Sequence, residues 1–154
     1  MKVRDIMTSN PCCCLAGDAL VDAARIMRDC DTGFVPVVDE KDRPIGVLTD
    51  RDIAIRVVAE GKELRELTIG QAMTHDVFCC GPDDRVDDVL RQMEERKIRR
   101  CLVIGDDGKV IGVLSPADVA TRDNDVQDNR QFHEMLDQVS QTQRSARHDH
   151  PQPS

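Results

Sequence analysis

The 154-residue chain has no tryptophan, no tyrosine and only three phenylalanines. An aromatic platform that stacks several bases is therefore not expected. Basic residues are few beside acidic ones, 21 against 29, and the net charge of −8 opposes binding to a phosphate backbone. We therefore expect no nucleic-acid partner.

The chain also lacks a long apolar run. Its apolar stretches are only a handful of residues long, whereas a membrane-spanning helix needs about 20. Residues 1–5 lead into no apolar segment of the kind that secretory signal peptides contain. We expect a cytoplasmic protein with no membrane partner, whose seven cysteines are reduced thiols.

What the chain does contain is an internal repeat. Residues 45–49 read IGVLT and recur as IGVLS at residues 111–115, an offset of 66 residues. The same offset, without any gap, relates Met7-Thr8 to Met73-Thr74, Cys13-Cys14 to Cys79-Cys80, and Asp52 to Asp118. This self-similarity predicts two copies of one unit, residues 1–62 and 66–124, followed by a tail.

Each unit is predicted to have the order strand, helix, strand, strand, helix. The first helix carries apolar residues at i, i+3, i+4 and i+7 in both copies: Leu20, Ala23, Ala24 and Met27, then Val86, Val89, Leu90 and Met93. Asp18, and Asp83 or Asp84, are candidate N-caps, and Gly33 is a candidate helix end.

The strands are predicted at Pro11–Cys14, Phe34–Val38, Ile45–Leu48, Val77–Cys80, Cys101–Ile104 and Val110–Leu114. The second helix starts at Thr49 or Ser115; in the first copy its expected buried face is Ile53, Ala54, Val57 and Val58, and Gly61 ends it. A unit of about 60 residues buries little core alone. We predict an α/β (α+β) fold in which the two halves pack through their sheets about a pseudo-two-fold axis.

The second helix begins with the pattern [ST]-x-x-D in both copies, Thr49 to Asp52 and Ser115 to Asp118. One interpretation is a capping box, which Pro116 at the first helical position also suits. The other is a ligand site, because a helix start suits a phosphate and a carboxylate accepts the two hydroxyls of a ribose. The preceding glycine would let a ligand approach the backbone closely.

These segments resemble a tandem pair of CBS domains. The resemblance rests on residues 3–8, 34–39 and 45–53 in the first copy and 69–74, 97–104 and 111–119 in the second. It covers residues 1 to about 124, and the chain is similar to stand-alone bacterial CBS-pair proteins, including the hypoxic-response type. The resemblance implies a non-enzymatic regulatory module that binds an adenosine-containing ligand such as AMP, ADP or ATP, forms a homodimer and signals to a protein partner.

The resemblance also implies which residues bind the ligand. Asp52 and Asp118 would hold the ribose, beside the hydroxyls of Thr49 and Ser115, and the adenine edge would meet the backbone at Val35-Pro36 and Cys101-Leu102. Asp50 and Arg51 lie in the same motif, and Arg51 and Arg100 are candidate phosphate contacts or solvated partners of carboxylates. Because Arg51 aligns with Ala117, we expect unequal clefts, with the Thr49–Asp52 cleft the competent one.

An alternative is a protein-interaction module whose clefts stay empty. A third hypothesis is a thiol-based metal or redox site that pairs Cys12-Cys13-Cys14 with Cys79-Cys80. No C-x-x-C spacing is present, so packing in the core is favoured for these residues, as for Cys30 and Cys101. We assign no metal ligands, no cofactor and no catalytic residues, since His75 alone among the histidines lies within the repeats.

The tail differs in composition from the repeats. A helix is predicted within residues 125–141, because Phe132, Met135, Leu136 and Val139 make an apolar stripe that would dock on the module. Residues 142–154 are predicted to be disordered.

Overall fold

The computed structural model describes residues 1–123 and 137–139. Residues 137–139 have a helical backbone. The remainder of the predicted helix over 125–141, and the tail 142–154, lie outside the described residues, so both stay predictions.

In the described residues, seven strands form two sheets, which confirms the mixed α/β architecture. One sheet has the order β2-β3-β4 and the other β1-β7-β6-β5. The strands are β1 (Thr8–Ser9), β2 (Cys14–Leu15), β3 (Phe34–Val38), β4 (Pro44–Thr49), β5 (Cys79–Cys80), β6 (Cys101–Ile104) and β7 (Val110–Leu114).

Five α-helices accompany the strands in the described residues. They are α1 (Leu20–Asp29), α2 (Asp50–Ile53), α3 (Ile69–Ala72), α4 (Val86–Arg96) and α5 (Pro116–Asp123). Short 3₁₀ turns cover Val3–Asp5 and Leu64–Glu66, and a π-helical turn, Ala54–Val58, continues α2. No helix in the part of the chain that is described has the length and apolar content needed to cross a bilayer.

The sequence repeat is also a structural repeat. Strands β2 and β3 pair in parallel with Cys14 opposite Val37, and β5 and β6 pair in parallel with Cys80 opposite Val103. Both hairpins are antiparallel, and their registers shift at the equivalent steps Val37/Val38 and Val103/Ile104. The 66-residue offset therefore relates positions in space as well as in sequence.

Helices α1 and α4 bury the predicted stripes. Leu20, Ala23 and Met27 are buried, Ala24 is half-buried, and all four stripe residues of α4 are buried. The predicted N-caps are wrong, because the helices begin after Ala19 and Arg85 without a side-chain cap. Asp18 and Asp84 instead accept hydrogen bonds from the amides of Leu15 (3.1 Å) and Gly81 (2.8 Å), closing the turns that precede each helix.

The end of α1 also differs from the prediction. The helix ends at Asp29, and Asp31 takes the left-handed conformation (φ 50°), as its equivalent Lys97 does after α4 (φ 56°). Gly33 does not cap the helix. It lies against Asp50, where a Cβ atom would come 2.5 Å from the carboxylate oxygen Oδ2.

The second helix of the first repeat buries less than its sequence pattern predicts. Val57 is buried and Ile53 half-buried, whereas Ala54 and Val58 are exposed. The cause is the π-helical turn, in which the Ala59 amide bonds to the carbonyl of Ala54 five residues back (2.9 Å). Such a turn rotates the following residues away from the 3.6-residue period on which the prediction depended.

The N-terminal segments of the two repeats are exchanged. Val3 and Ile6 pack in the core of the second repeat with Val86 and Leu114, while Ile69 and Met73 pack in the core of the first. The exchange places each N-terminal segment in the core of the opposite repeat, which the bounds of the sequence repeat do not reveal.

Equivalent hydrogen bonds fix this exchange on both sides. The Val3 amide bonds to the Asp84 carbonyl (3.0 Å), and the Ile69 amide bonds to the Asp18 carbonyl (2.9 Å). Thr8 in β1 pairs with Val113 of the second repeat, just as Thr74 pairs with Val47 of the first. Neither half completes its core or its sheet without a segment from the other.

Candidate functional site

A cleft of about 1060 Å³ lies between the two repeats. We call it the first cleft. One wall comes from the end of β4 and the start of α2, and the facing residues come from the end of α4 and the start of β6. Six of the predicted site residues line it: Thr49, Asp50, Arg51, Asp52, Arg100 and Leu102. Arg100, expected on the side of its own repeat, is thus brought to the residues of the first one.

Thr49 and Asp52 form a reciprocal pair at the start of α2. The Thr49 amide donates to Asp52 Oδ2 (3.0 Å), and the Asp52 amide donates to Thr49 Oγ1 (3.0 Å). The capping-box interpretation is therefore confirmed.

The Asp52 carboxylate has partners beyond the cap. Thr74, from the exchanged segment of the second repeat, donates its hydroxyl to Oδ1 (3.3 Å) and Oδ2 (3.4 Å). Arg56 Nε lies 3.7 Å from Oδ1, and Arg56 Nη1 donates to the Met73 carbonyl (2.9 Å). The side chain of Asp52 is only 14% exposed, so it is held in one orientation at the cleft wall.

Capping leaves acceptor capacity on this carboxylate. Two carboxylate oxygens offer about four lone-pair directions, and the contacts of Oδ1 to Thr74 and Arg56 are long. The capping and ligand interpretations are therefore compatible, because the cap orients the same carboxylate that faces the cleft.

An equivalent arrangement surrounds Asp118 in the second repeat. The Ser115 amide (2.8 Å) and hydroxyl (2.9 Å) donate to Asp118 Oδ2, and the Thr8 hydroxyl donates to Oδ1 (3.4 Å). Ser115 is buried, and Thr8 comes from the exchanged segment of the first repeat. We call the surface beside Thr8, Ser115 and Asp118 the second crevice.

The glycine before each motif has a structural purpose that the sequence did not reveal. A Cβ atom at Gly46 would lie 2.7 Å from the Thr74 carbonyl oxygen, and one at Gly112 would lie 2.6 Å from Met7 Sδ. Both glycines make room for the exchanged Met-Thr segment. These contacts explain both glycines without a ligand, and the expectation that they admit one stays a prediction.

The predicted adenine-edge residues do not all face the first cleft. Leu102 lines it, but Val35 and Cys101 are fully buried in the cores of their own repeats, and Pro36 is buried in β3. Their side chains thus serve packing.

Sequence reasoning missed several residues of the first cleft, among them Phe78 and Arg96. Phe78 and Arg96 both line it, and the Arg96 guanidinium carbon lies 4.8 Å from the centroid of the Phe78 ring. A signal was present, since Phe78 is one of only three phenylalanines and lies beside the repeated Cys79-Cys80 pair. The 66-residue offset aligns Phe78 with Cys12 and Arg96 with Cys30, so neither residue is part of the repeated pattern.

The cysteines correct another expectation. Cys12 and Cys30 form a disulfide, and both residues are exposed, so they are neither reduced thiols nor packing residues. The pair lies within one repeat and does not join the two clusters. Cys14, Cys80 and Cys101 are free and buried, as packing predicts.

The buried thiols are poor ligands and nucleophiles. Burial, followed by the nearby Asp18 carboxylate, raises the pKa of Cys14 to about 12. A hydrogen bond with Cys80, together with burial, strongly raises the pKa of Cys101. Both stay protonated at neutral pH, whereas metals and electrophiles need the thiolate. Within the described residues, no three His, Cys, Asp or Glu side chains are placed to hold a metal ion.

The CBS domain family matches the chain twice, over residues 3–59 and 66–124. The chain belongs to the CBS-domain family. Two curated relatives of this CBS pair illustrate the match. Hypoxic response protein 1 of Mycobacterium tuberculosis is 33% identical over 117 residues, which are 76% of this chain and 81% of that protein. An uncharacterized protein, MK0525 of Methanopyrus kandleri, is 34% identical over 75% of this chain, but the match spans only 57% of that longer relative.

Solved structures of other CBS pairs share the fold. A crystal structure of Hypoxic Response Protein I with two coordinated zinc ions has a TM-score of 0.71 at 32% identity, covering 79% of this chain and 98% of that one. The CBS domain pair of protein MJ0100, in complex with 5′-methylthioadenosine and S-adenosyl-L-methionine, has a TM-score of 0.70 at 28% identity, covering 79% and 94%.

Proposed function

We propose that this CBS pair is a non-enzymatic regulatory module that binds an adenosine-containing ligand in the first cleft. The observation that carries the proposal is the Asp52 carboxylate, fixed by Thr49 and Thr74 at the wall of a cleft of about 1060 Å³ that both repeats line. Ligand sites commonly have volumes of about 300–1,000 Å³, so a mononucleotide fits such a space.

Asp52 is the proposed ribose contact. A ribose offers two adjacent hydroxyl donors, and a carboxylate accepts from both. Thr49, Thr74 and Arg56 fix the carboxylate at the cleft wall, so binding costs little side-chain entropy there.

The remaining residues of the cleft suit the other parts of a nucleotide. Phe78 and Leu102 offer apolar surface on which an adenine can stack or pack. Arg51, Arg96 and Arg100 place guanidinium groups around the same space, and guanidinium binds phosphate oxygens through paired hydrogen bonds. This assignment agrees with the two adenosine-containing ligands of the MJ0100 CBS pair.

The exchanged segments connect the proposed ligand contact in one repeat to the backbone of the other repeat. Asp52 of the first repeat is bonded to Thr74 of the second, and Thr74 in turn pairs with Val47 in β4. A ligand that binds one arrangement of the repeats more tightly shifts the population toward it. We propose that a protein partner reads this difference, and that the protein acts in the cytoplasm.

The proposal also includes a homodimer, as the family resemblance implies. On the π-helical turn after α2, Ile55 is 47% exposed and Val58 is 66% exposed. A second copy would cover these apolar side chains. Light scattering on the full chain tests this, because a mass equal to one chain at all concentrations would contradict it.

A thermal-shift panel tests ligand binding. The full chain is heated with AMP, ADP, ATP, S-adenosyl-L-methionine, 5′-methylthioadenosine or NAD. A ligand present at 100 times its dissociation constant should add about 2.7 kcal/mol to the free energy of unfolding. The absence of any shift with all six at millimolar concentration would favour the alternative, a protein-interaction module with empty clefts whose Asp52 serves only to cap α2.

A further inference from the structure

Cys12 and Cys30 join two parts of the first repeat that are separate in the fold. Cys12 lies just before β2, and Cys30 is the residue that caps the end of α1. Both residues are exposed, so a thiol from solution can reach the bridge. The bond closes a segment of 18 residues that contains the whole of α1.

The repeat offset relates this bridge to a contact in the first cleft. Cys12 corresponds to Phe78, and Cys30 corresponds to Arg96. Phe78 and Arg96 touch each other and line the first cleft. The strand registers on either side match step for step, so the correspondence holds in space.

The second crevice shares the carboxylate arrangement of the first cleft. Asp118 accepts from Ser115 and Thr8 just as Asp52 accepts from Thr49 and Thr74. The repeat offset therefore assigns to the disulfide, relative to the second crevice, the position that Phe78 and Arg96 have relative to the first cleft.

We propose that Cys12 and Cys30 form a reversible disulfide that controls ligand binding at the second crevice; this rests on the proposed adenosine-binding function. Oxidised, the bond holds the start of β2 against the end of α1. In the reduced protein, the start of β2 and the end of α1 can separate, as the Phe78 and Arg96 side chains can. The second crevice then admits the ligand.

The chemistry is thiol–disulfide exchange with a small-molecule or protein thiol. A thiolate attacks one sulfur of the bridge, which forms a mixed disulfide and releases the other cysteine as a thiolate that takes up a proton. A second thiol resolves the mixed disulfide and frees the remaining cysteine. Two electrons and two protons pass to Cys12 and Cys30, and the two external thiols become one disulfide. Cytosolic disulfides are commonly of this transient kind.

The free cysteines of the described residues do not replace Cys12 and Cys30 in this exchange. Partial desolvation by the surrounding protein raises the pKa of the Cys13 and Cys79 thiols, with further contributions from Asp42 and Cys80 respectively. Cys14, Cys80 and Cys101 are buried. Reversible oxidation is thus expected at one place in the described residues.

Calorimetric titration of the full chain with AMP and with 5′-methylthioadenosine tests the proposal. The Asp52→Asn background isolates the second crevice, and each protein is titrated oxidised and after reduction with a phosphine. Alkylation followed by mass spectrometry counts the free thiols in each state. Cys30→Ser imitates the reduced state. Cys79→Ser, which removes an exposed free cysteine of the second repeat, is the matched control.

We expect two more alkylated cysteines after reduction, and an affinity at the second crevice that rises by at least about tenfold. Cys30→Ser should bind equally well in both conditions, while Cys79→Ser should keep the redox response. Equal or weaker binding after reduction, no binding in the Asp52→Asn background, or an unchanged thiol count would overturn the inference. Failure of the proposed function is distinguishable, because the unsubstituted protein would then bind neither probe in either state.

Discussion

The guanidinium carbon of Arg96 lies 4.8 Å from the centroid of the Phe78 ring at the edge of the first cleft. The equivalent positions of the first repeat, Cys12 and Cys30, are joined by a disulfide. One place in a duplicated fold thus holds a separable contact in one copy and a covalent bond in the other, a difference between the repeats that lies outside Asp52 and Asp118.

Reduction of the disulfide should destabilise the protein. A bridge that closes 18 residues restricts the unfolded chain, which corresponds to about 3 kcal/mol of stability. Urea unfolding of the oxidised protein, the reduced protein and Cys30→Ser measures the difference. The last two should agree with each other, and Cys79→Ser should match the oxidised protein. Equal midpoints with and without reductant would contradict the prediction.

Phe78→Ala should weaken binding at the first cleft. Stacking of a base on an aromatic ring contributes about 1–3 kcal/mol, so AMP affinity should fall by about tenfold or more. Phe78→Leu, which keeps apolar surface but not the ring, should give an intermediate loss by calorimetry. Unchanged AMP affinity in Phe78→Ala would show that the Phe78 ring does not contact the adenine.

Val3 and Ile69 occupy equivalent positions, each fully buried in the core of the opposite repeat. Ile69→Ala should cost about 2–5 kcal/mol, and Val3→Ala roughly 1.5–3 kcal/mol. Both should unfold in one transition, because each segment completes the core of the other half. Ile45→Ala, at an exposed position, should change stability by no more than about 0.5 kcal/mol. Two separate transitions in either core variant would contradict the shared-core account.

Asp83 should make stability depend on acid pH. Hydrogen bonds from Lys2 and then Arg4 hold the pKa of its carboxyl below the usual 3.8. A lowered native pKa stabilises the fold above 3.8, and that contribution disappears as the pH falls through the native value. Asp83→Asn should therefore be slightly less stable than the unsubstituted protein at neutral pH and equally stable in strong acid. Asp106→Asn, in the exposed turn between β6 and β7, is the control. If Asp83→Asn were still less stable than the unsubstituted protein in strong acid, the stability difference would not come from the ionised Asp83 carboxylate.

Local patterns predicted the elements they directly encode. The stripe of α4 is buried at all four positions, and Gly108 takes the left-handed conformation (φ 81°) in the turn between β6 and β7, for which glycine is well suited. Thr49 and Asp52 form the expected capping box. Each of these depends on side chains a few residues apart.

Features that depend on distant residues were not predictable in this way. Nothing local distinguishes Val3 as a core residue of the other repeat, and Gly46 is required because Thr74 passes close to it. The Cys12–Cys30 bond depends on where α1 ends. Asp31, in the left-handed conformation, follows that end, whereas the sequence pattern had indicated Gly33. The π-helical turn after α2 likewise exposes Val58 against its sequence period.

The most direct test is calorimetric titration of AMP into the unsubstituted protein and into Asp52→Asn, both in the oxidised state. Asparagine keeps one acceptor oxygen for the Thr49 amide, so the cap and the free energy of unfolding should be nearly retained. Its amide nitrogen cannot accept a ribose hydroxyl, so binding at the first cleft should be lost. Equal AMP affinity in the two proteins would contradict the account.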